Sequence, residues 1–244
     1  MAKCEVAYWG AAALVISDTA DRVGVLPCTV MQHIFDISPP VTADAAVFPG
    51  DTRYQQTPHF SHGPDCPVSV HAIHMSPHTG AHADAPMHYR AGGAGVGALA
   101  LEPYIGVCRV IDCRASVGLV QPADVAHALQ DLPPRVLLQT SGQASQSWDR
   151  FTAIAPATLH ALQAANPELS LIGIDTPSLD PANSQQLPSH KAVFGLALRV
   201  LENLVLDDVA PGDYELIALP LKLMDCDASP VRAILRTLAT HQVG

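Results

Sequence analysis

Residues 77–89 read P-H-T-G-A-H-A-D-A-P-M-H-Y, which places His78, His82, Asp84 and His88 within eleven residues of one another. Every gap between them is even. In extended backbone, residues two or four apart project to the same face, whereas a helix would scatter the offsets +4, +6 and +10 around its circumference. Pro77, Gly80 and Pro86 also oppose a helix through the stretch. The spacing therefore predicts an extended, partly irregular segment that aims all four side chains into one cavity. Neutral imidazole and carboxylate are the donors that zinc and related divalent ions prefer, so the convergence points to a metal site. One histidine would fit an ordinary surface loop; four candidate ligands on one face fit it poorly.

The rest of the chain is read around that segment. Its 244 residues suit one or two domains, and no Gly/Ser-rich or charged linker divides them. One domain over residues 31–244 is expected, preceded by a disordered extension over residues 1–30. Lys3 and the apolar run 11–16 resemble a signal peptide only weakly, because Glu5 interrupts the basic end and the run is short. A net charge of −10, with 13 Lys and Arg that nowhere cluster, excludes a nucleic-acid surface and disfavours an anionic membrane. Charged residues make up only 15% of the chain against 48% hydrophobic, which points to surface buried between subunits of a homo-oligomer. The six cysteines form no C-x-x-C pair and read as reduced thiols of a cytoplasmic protein. Cys108 and Cys113 differ in parity along one strand and should face opposite ways.

Strands are expected over residues 34–40, 68–76, 107–113, 135–140, 169–174, 200–206 and 214–221, and helices over 122–130, 156–165 and 190–198. That mixture defines an α/β class. A turn is expected at Phe48-Pro49-Gly50-Asp51. His71 and His74 have opposite parity, so at most one can face the cavity; His59 and His62 are placed in a polar turn. The glycine-rich run 92–97 lacks the Lys-Ser/Thr of a phosphate loop and reads as a flexible loop near the site. Asp175, at the exit of a buried strand, either supports a catalytic group or caps the following turn. His190 and Glu202 carry no local metal signature and read as a helix-start histidine and a strand-edge glutamate.

The string from His78 to His88 closely resembles the His-x-Gly-Thr-His-x-Asp-x-Pro-x-His signature of the metal-dependent cyclase-like hydrolases. D-I-S-P-P at Asp36, F-P-G-D-T at Phe48, C-P-V at Cys66, L-I-G-I-D-T-P-S-L-D from Leu171, Y-E-L-I-A-L-P-L from Tyr214 and D-A-S-P-V-R-A from Asp227 fit the same family in order. Within it the chain is most similar to the bacterial kynurenine formamidases. The resemblance implies a swivelling β/β/α domain, assembled as a homodimer or higher homo-oligomer. It further implies hydrolysis of an aryl formamide, N-formyl-L-kynurenine, to L-kynurenine and formate in tryptophan breakdown, by water activated at a binuclear metal site. His78, His82 and Asp84 would be metal ligands, joined by His190 and Glu202 because S-H-K and L-E-N-L match the second ligand region. Two zinc ions per subunit are expected, with manganese accepted by the same donors. By resemblance His88 is the general acid and base, a task suited to an imidazole's ordinary pKa of ~6.5. Phe48 falls in the substrate pocket, where the formamidases carry tryptophan. The alternatives are a sister hydrolase that opens a cyclic amide such as isatin, and a metal-binding protein without turnover.

Overall fold

Short apolar runs punctuated by proline and glycine become the strands of one mixed sheet. The computed structural model describes residues 32–141 and 147–239, so the expected extension and Cys4 and Cys28 lie outside the described residues. The strands are β1 (Ile34–Asp36), β2 (Gln55–Phe60), β3 (Val70–His74), β4 (His82–Asp84), β5 (Ile105–Asp112), β6 (Leu119–Val120), β7 (Arg135–Gln139), β8 (Ala153–Ile154), β9 (Leu171–Ile174), β10 (Arg199–Glu202), β11 (Gly212–Ile217), β12 (Ala228–Pro230) and β13 (Ile234–Thr237). The helices are α1 (Pro86–Tyr89), α2 (Pro122–Val125), α3 (Pro156–Ala165) and α4 (Pro188–Gly195), each with proline in its first turn, where the missing N–H costs nothing.

Nine strands form the main sheet in the order β1-β13-β11-β5-β7-β9-β10-β4-β12. The four central strands β5, β7, β9 and β10 run parallel, and antiparallel strands complete both flanks. Alternation along these strands divides the core. Cys108, Val110, Leu137 and Leu201 face one apolar cluster, while Ile111, Cys113, Val136 and Val200 face another that also takes in Val125, Leu159, Leu162 and Val193 of the helices. The opposite facing of Cys108 and Cys113 is thus observed, and Cys66, Cys108, Cys113 and Cys226 are free thiols. The α/β class is borne out. β2 and β3 pair only with each other, as a ribbon whose residues are all exposed.

Several local expectations are corrected. His59 lies on β2 rather than in a turn, at the irregularity where the ribbon's register shifts between Pro58 and Phe60. The run 92–97 is a packed segment rather than a flexible loop. Val96 is buried, its N–H donates to the Cys226 carbonyl at 2.8 Å, and the Gly97 N–H donates to that of Leu223 at 3.0 Å. Glycine is needed there for close approach: a Cβ on Gly93 would lie 2.5 Å from the carbonyl carbon of Pro86, and one on Gly97 2.7 Å from the Leu223 oxygen. β11 begins at Gly212, two residues before the strand expected from 214.

Candidate active site

β4 is only three residues long, but it is buried and hydrogen-bonded on both sides, by β10 and by β12. Ala83 points to one core, so His82 and Asp84 share the opposite face. The register sets Glu202 of β10 directly across from His82. α4 adds His190 from above. Asp180 fixes that helix start, accepting the N–H groups of Ser189 and His190, each at 3.0 Å, and the His190 Nδ1–H at 2.7 Å. Four positions separated by up to 120 residues of sequence therefore meet at one sheet face; the count is the span from 82 to 202.

The motif itself is not one extended segment. His78 lies in the turn before β4, and His88 lies in the single turn of α1. Pro86 causes this: its fixed φ suits the first helical position, and the His88 N–H donates to the Ala85 carbonyl at 2.9 Å. Even spacing therefore accounts for His82 and Asp84 alone. All four side chains still converge, because the turn and the helix bend the flanking histidines back over the strand. Gly80 makes the first bend, with φ +71° and the Val41 side chain 2.9 Å from where a Cβ would stand.

Each of three imidazoles is tied off on its outer nitrogen. His82 Nδ1–H donates to the Gly80 carbonyl at 2.9 Å, His190 Nδ1–H to Asp180, and His78 Nε2–H to Asp227 Oδ2 at 3.1 Å. In the neutral rings the inner nitrogens are then lone pairs, and they face carboxylate oxygens. His82 Nε2 lies 3.3 Å from Glu202 Oε2 and 3.5 Å from Asp84 Oδ1. His190 Nε2 lies 3.4 Å from both Asp84 Oδ2 and Glu202 Oε1, and His78 Nδ1 lies 3.1 Å from Asp84 Oδ1. Such an array is held together by protons on the rings or by a metal ion that replaces them. His82 Nε2 and both Asp84 oxygens are buried without a hydrogen-bond partner in the protein, so the residues fit a metal on their own geometry. Among the described residues three sets of atoms are close enough to share an ion: those of His78, His82 and Asp84, those of Asp84, His88 and His190, and those of His78, His88 and Asp227.

The electrostatics agree. Burial lowers the proton affinity of His190, but Asp180, Asp84 and Glu202 outweigh it and raise the pKa well above the usual range. His78, opposed by burial but favoured by Asp84 and Asp227, is pushed up to about 9. Burial would raise the Asp84 carboxyl, yet the imidazoles of His190 and His78 hold it well below its ordinary value. Glu202 is likewise lowered against burial and the nearby Asp84 charge, by His190 and His82. A site that binds protons this strongly offers the same field to a divalent cation.

The cluster floors a cavity of about 320 Å³ whose apolar wall includes Phe48, Trp148, Pro177 and Leu187. Phe48 follows the expected turn, closed by the Asp51 N–H donating to its carbonyl at 2.9 Å, and its ring meets Trp148 edge to face at 5.1 Å. His88 lines the same cavity with a third of its side chain exposed, its Nε2 4.0 Å from Asp84 Oδ2. A larger open cleft of about 640 Å³ beside Val117 and Phe151 contains no imidazole or thiol. His71 and His74 stay exposed on the ribbon. Asp175 closes the end of β7, accepting from the Thr140 N–H and hydroxyl and the Ser141 N–H, so it caps the neighbouring strand's end rather than the turn that follows it. Trp148, Asp180 and Asp227 were not picked out as site residues. The two aspartates sit inside segments that carry the family resemblance, but their spacing gives no sign of their contacts; Trp148 has no sequence signal.

The Cyclase family model matches residues 35–181. The kynurenine formamidase of Polaromonas naphthalenivorans is 66% identical over 207 residues, covering 85% of this chain and 92% of its own. That of Bordetella pertussis is 57% identical over 211 residues, covering 86% of this chain and 100% of its own. A solved structure described as a predicted metal-dependent hydrolase from Bacillus stearothermophilus superposes with a TM-score of 0.72 at 27% identity, over 85% of this chain and 99% of that one. Isatin hydrolase A from Labrenzia aggregata shares the fold at TM-score 0.70 and 22% identity, over 85% and 94% of the two chains.

Proposed function

Because the chain belongs to the Cyclase family, we propose that its pocket hydrolyses N-formyl-L-kynurenine to L-kynurenine and formate. The observation that carries this reading is the set of buried, unpartnered acceptors on His82 and Asp84 at the floor of an aromatic-walled cavity. The name carried by relatives at 57–66% identity supports it.

His78, His82, Asp84, His190 and Glu202 would hold two zinc ions, and manganese suits the same donors. Bound there, the pair would supply Lewis acidity toward water and a carbonyl oxygen. The chain's own residues do the remaining work. Phe48 and Trp148 grip the aryl ring, and the apolar wall limits water around it. His88, at the cavity surface, accepts a proton as water adds to the formyl carbon. It returns that proton to the aryl nitrogen as the C–N bond breaks, releasing formate and the free arylamine.

The catalytic unit is assigned to residues 31–244, with residues 1–30 as an extension outside it. A homodimer or higher homo-oligomer is supported by the exposed ribbon, since a two-stranded hairpin alone gains little stability and this one presents Phe60, Val70 and Ile73 to solvent. The free thiols suit a reducing cytoplasm. No helix among the described residues is long and apolar enough to cross a membrane.

The test is hydrolysis of N-formylkynurenine by purified protein before and after chelation and zinc reloading. Turnover lost with the metal and restored by zinc is expected. Metal-loaded protein that ignores this substrate but opens isatin would overturn the substrate assignment, and one inert toward both would overturn the enzyme reading.

A further inference from the structure

Resting on the assignment of His88 as proton carrier, we infer that Asp227 is a positioning residue that decides which nitrogen His88 presents to the substrate. Its Oδ2 lies 3.1 Å from His78 Nε2 and 3.6 Å from His88 Nδ1, so one oxygen serves two neighbouring rings. Those rings are stacked at a tilt, with centroids 4.3 Å apart. His88 stands on a one-turn helix and has a third of its side chain exposed, so its ring needs an outside contact to hold it. The 3.6 Å separation closes to a hydrogen bond with a small ring tilt, the tightening expected when substrate fills a catalytic pocket.

The carboxylate's location is set by backbone. The Ala85 N–H, just before α1, donates to the Asp227 carbonyl at 2.8 Å, and the next residue, Ala228, pairs with Asp84 in the sheet. Asp227 thus stands just before β12 and His88 on the helix just after β4, beside the adjoining ends of two paired strands. Accepting Nδ1–H from His88 leaves Nε2 as the nitrogen turned inward, toward Asp84 Oδ2 and the cavity. The same device fixes His78, with its nitrogens exchanged: Nε2–H goes to Asp227 and Nδ1 turns inward.

Asp227→Ala, Asp227→Asn, His88→Ala and the Asp227→Ala/His88→Ala double variant are compared, with metal per subunit and melting temperature measured on each. Asp227→Ala is expected to keep its metal and lose roughly 10–100-fold in kcat on N-formylkynurenine with little change in KM. Asp227→Asn keeps a carbonyl acceptor in place and is expected to lose less. On 4-nitrophenyl formate, whose leaving group needs no proton, the loss is smaller. In the His88→Ala background, removing Asp227 costs no further activity, since the two act as one unit. Additive losses, equal losses on both substrates, or loss of metal from Asp227→Asn would overturn the inference and leave Asp227 as a support for His78. A fully active His88→Ala would instead overturn the proton-carrier assignment on which the inference rests.

Discussion

His82 and Glu202 stand opposite one another on antiparallel strands, and their Nε2 and Oε2 atoms are 3.3 Å apart. Glu202 also accepts the Leu179 N–H at 2.7 Å, which holds its other oxygen in place. Glu202→Gln keeps that shape but removes the charge. It is expected to lower metal affinity at least about 10- to 100-fold, read by titrating a chelator against the loaded protein. Unchanged affinity would remove Glu202 from the ligand set.

The edge-to-face pair of Phe48 and Trp148 predicts a binding effect more than a chemical one. Phe48→Ala removes half of an aromatic contact whose typical worth of about 0.5–1.5 kcal/mol corresponds to a KM rise of roughly two- to tenfold on an aryl formamide. Values of kcat should move little. Steady-state kinetics on N-formylkynurenine and on formamide itself, which has no ring, separate the two effects.

Gly93→Ala is expected to damage a site it does not touch. The added methyl would collide with the Pro86 backbone, which opens the helix carrying His88. Overpacking of this kind costs about 1–3 kcal/mol. Thermal melting should fall by several degrees, and kcat should fall while metal content is retained.

The raised pKa of His78 makes the metal-free protein sensitive to alkali. A histidine with greater proton affinity folded than unfolded contributes stability that is full below its unfolded value of ~6.5 and is lost as pH climbs through its folded value. For His78 that folded value is about 9. Melting of chelated protein should therefore decline across this window. Zinc binding should strengthen over the same range, because ligation needs the imidazoles deprotonated. Parallel slopes for the two measurements would count against His78 as a ligand.

How far the sequence could be read depended on the length over which a pattern ran. Strands β5, β7 and β9 and helix α3 are apolar or periodic over several residues and stand close to where they are expected. β4 is too short to carry a pattern of its own, and proline and glycine reshape the motif within a few residues on either side. His190 and Glu202 became visible only by resemblance, since a ligand across a strand pair leaves no mark in local spacing. The contacts of Asp180 and Asp227 are more remote still: one caps a helix from eight residues before its start, the other reaches His88 through a three-residue strand. Such partners are chosen by tertiary register, which a single chain's periodicity does not encode.

Register also gives the pocket a second role, as a proofreader of the sheet's edge. β4 could slide by two residues along β10 and still present the same face to the core. One such slip would set Asp84 against Glu202, a buried pair of like charges, and the opposite slip would leave Glu202 facing Gly80 in place of His82. Misaligned pairings are thus penalised by the groups that do the chemistry, and a chain that has assembled its site has also certified that its edge strands are in step.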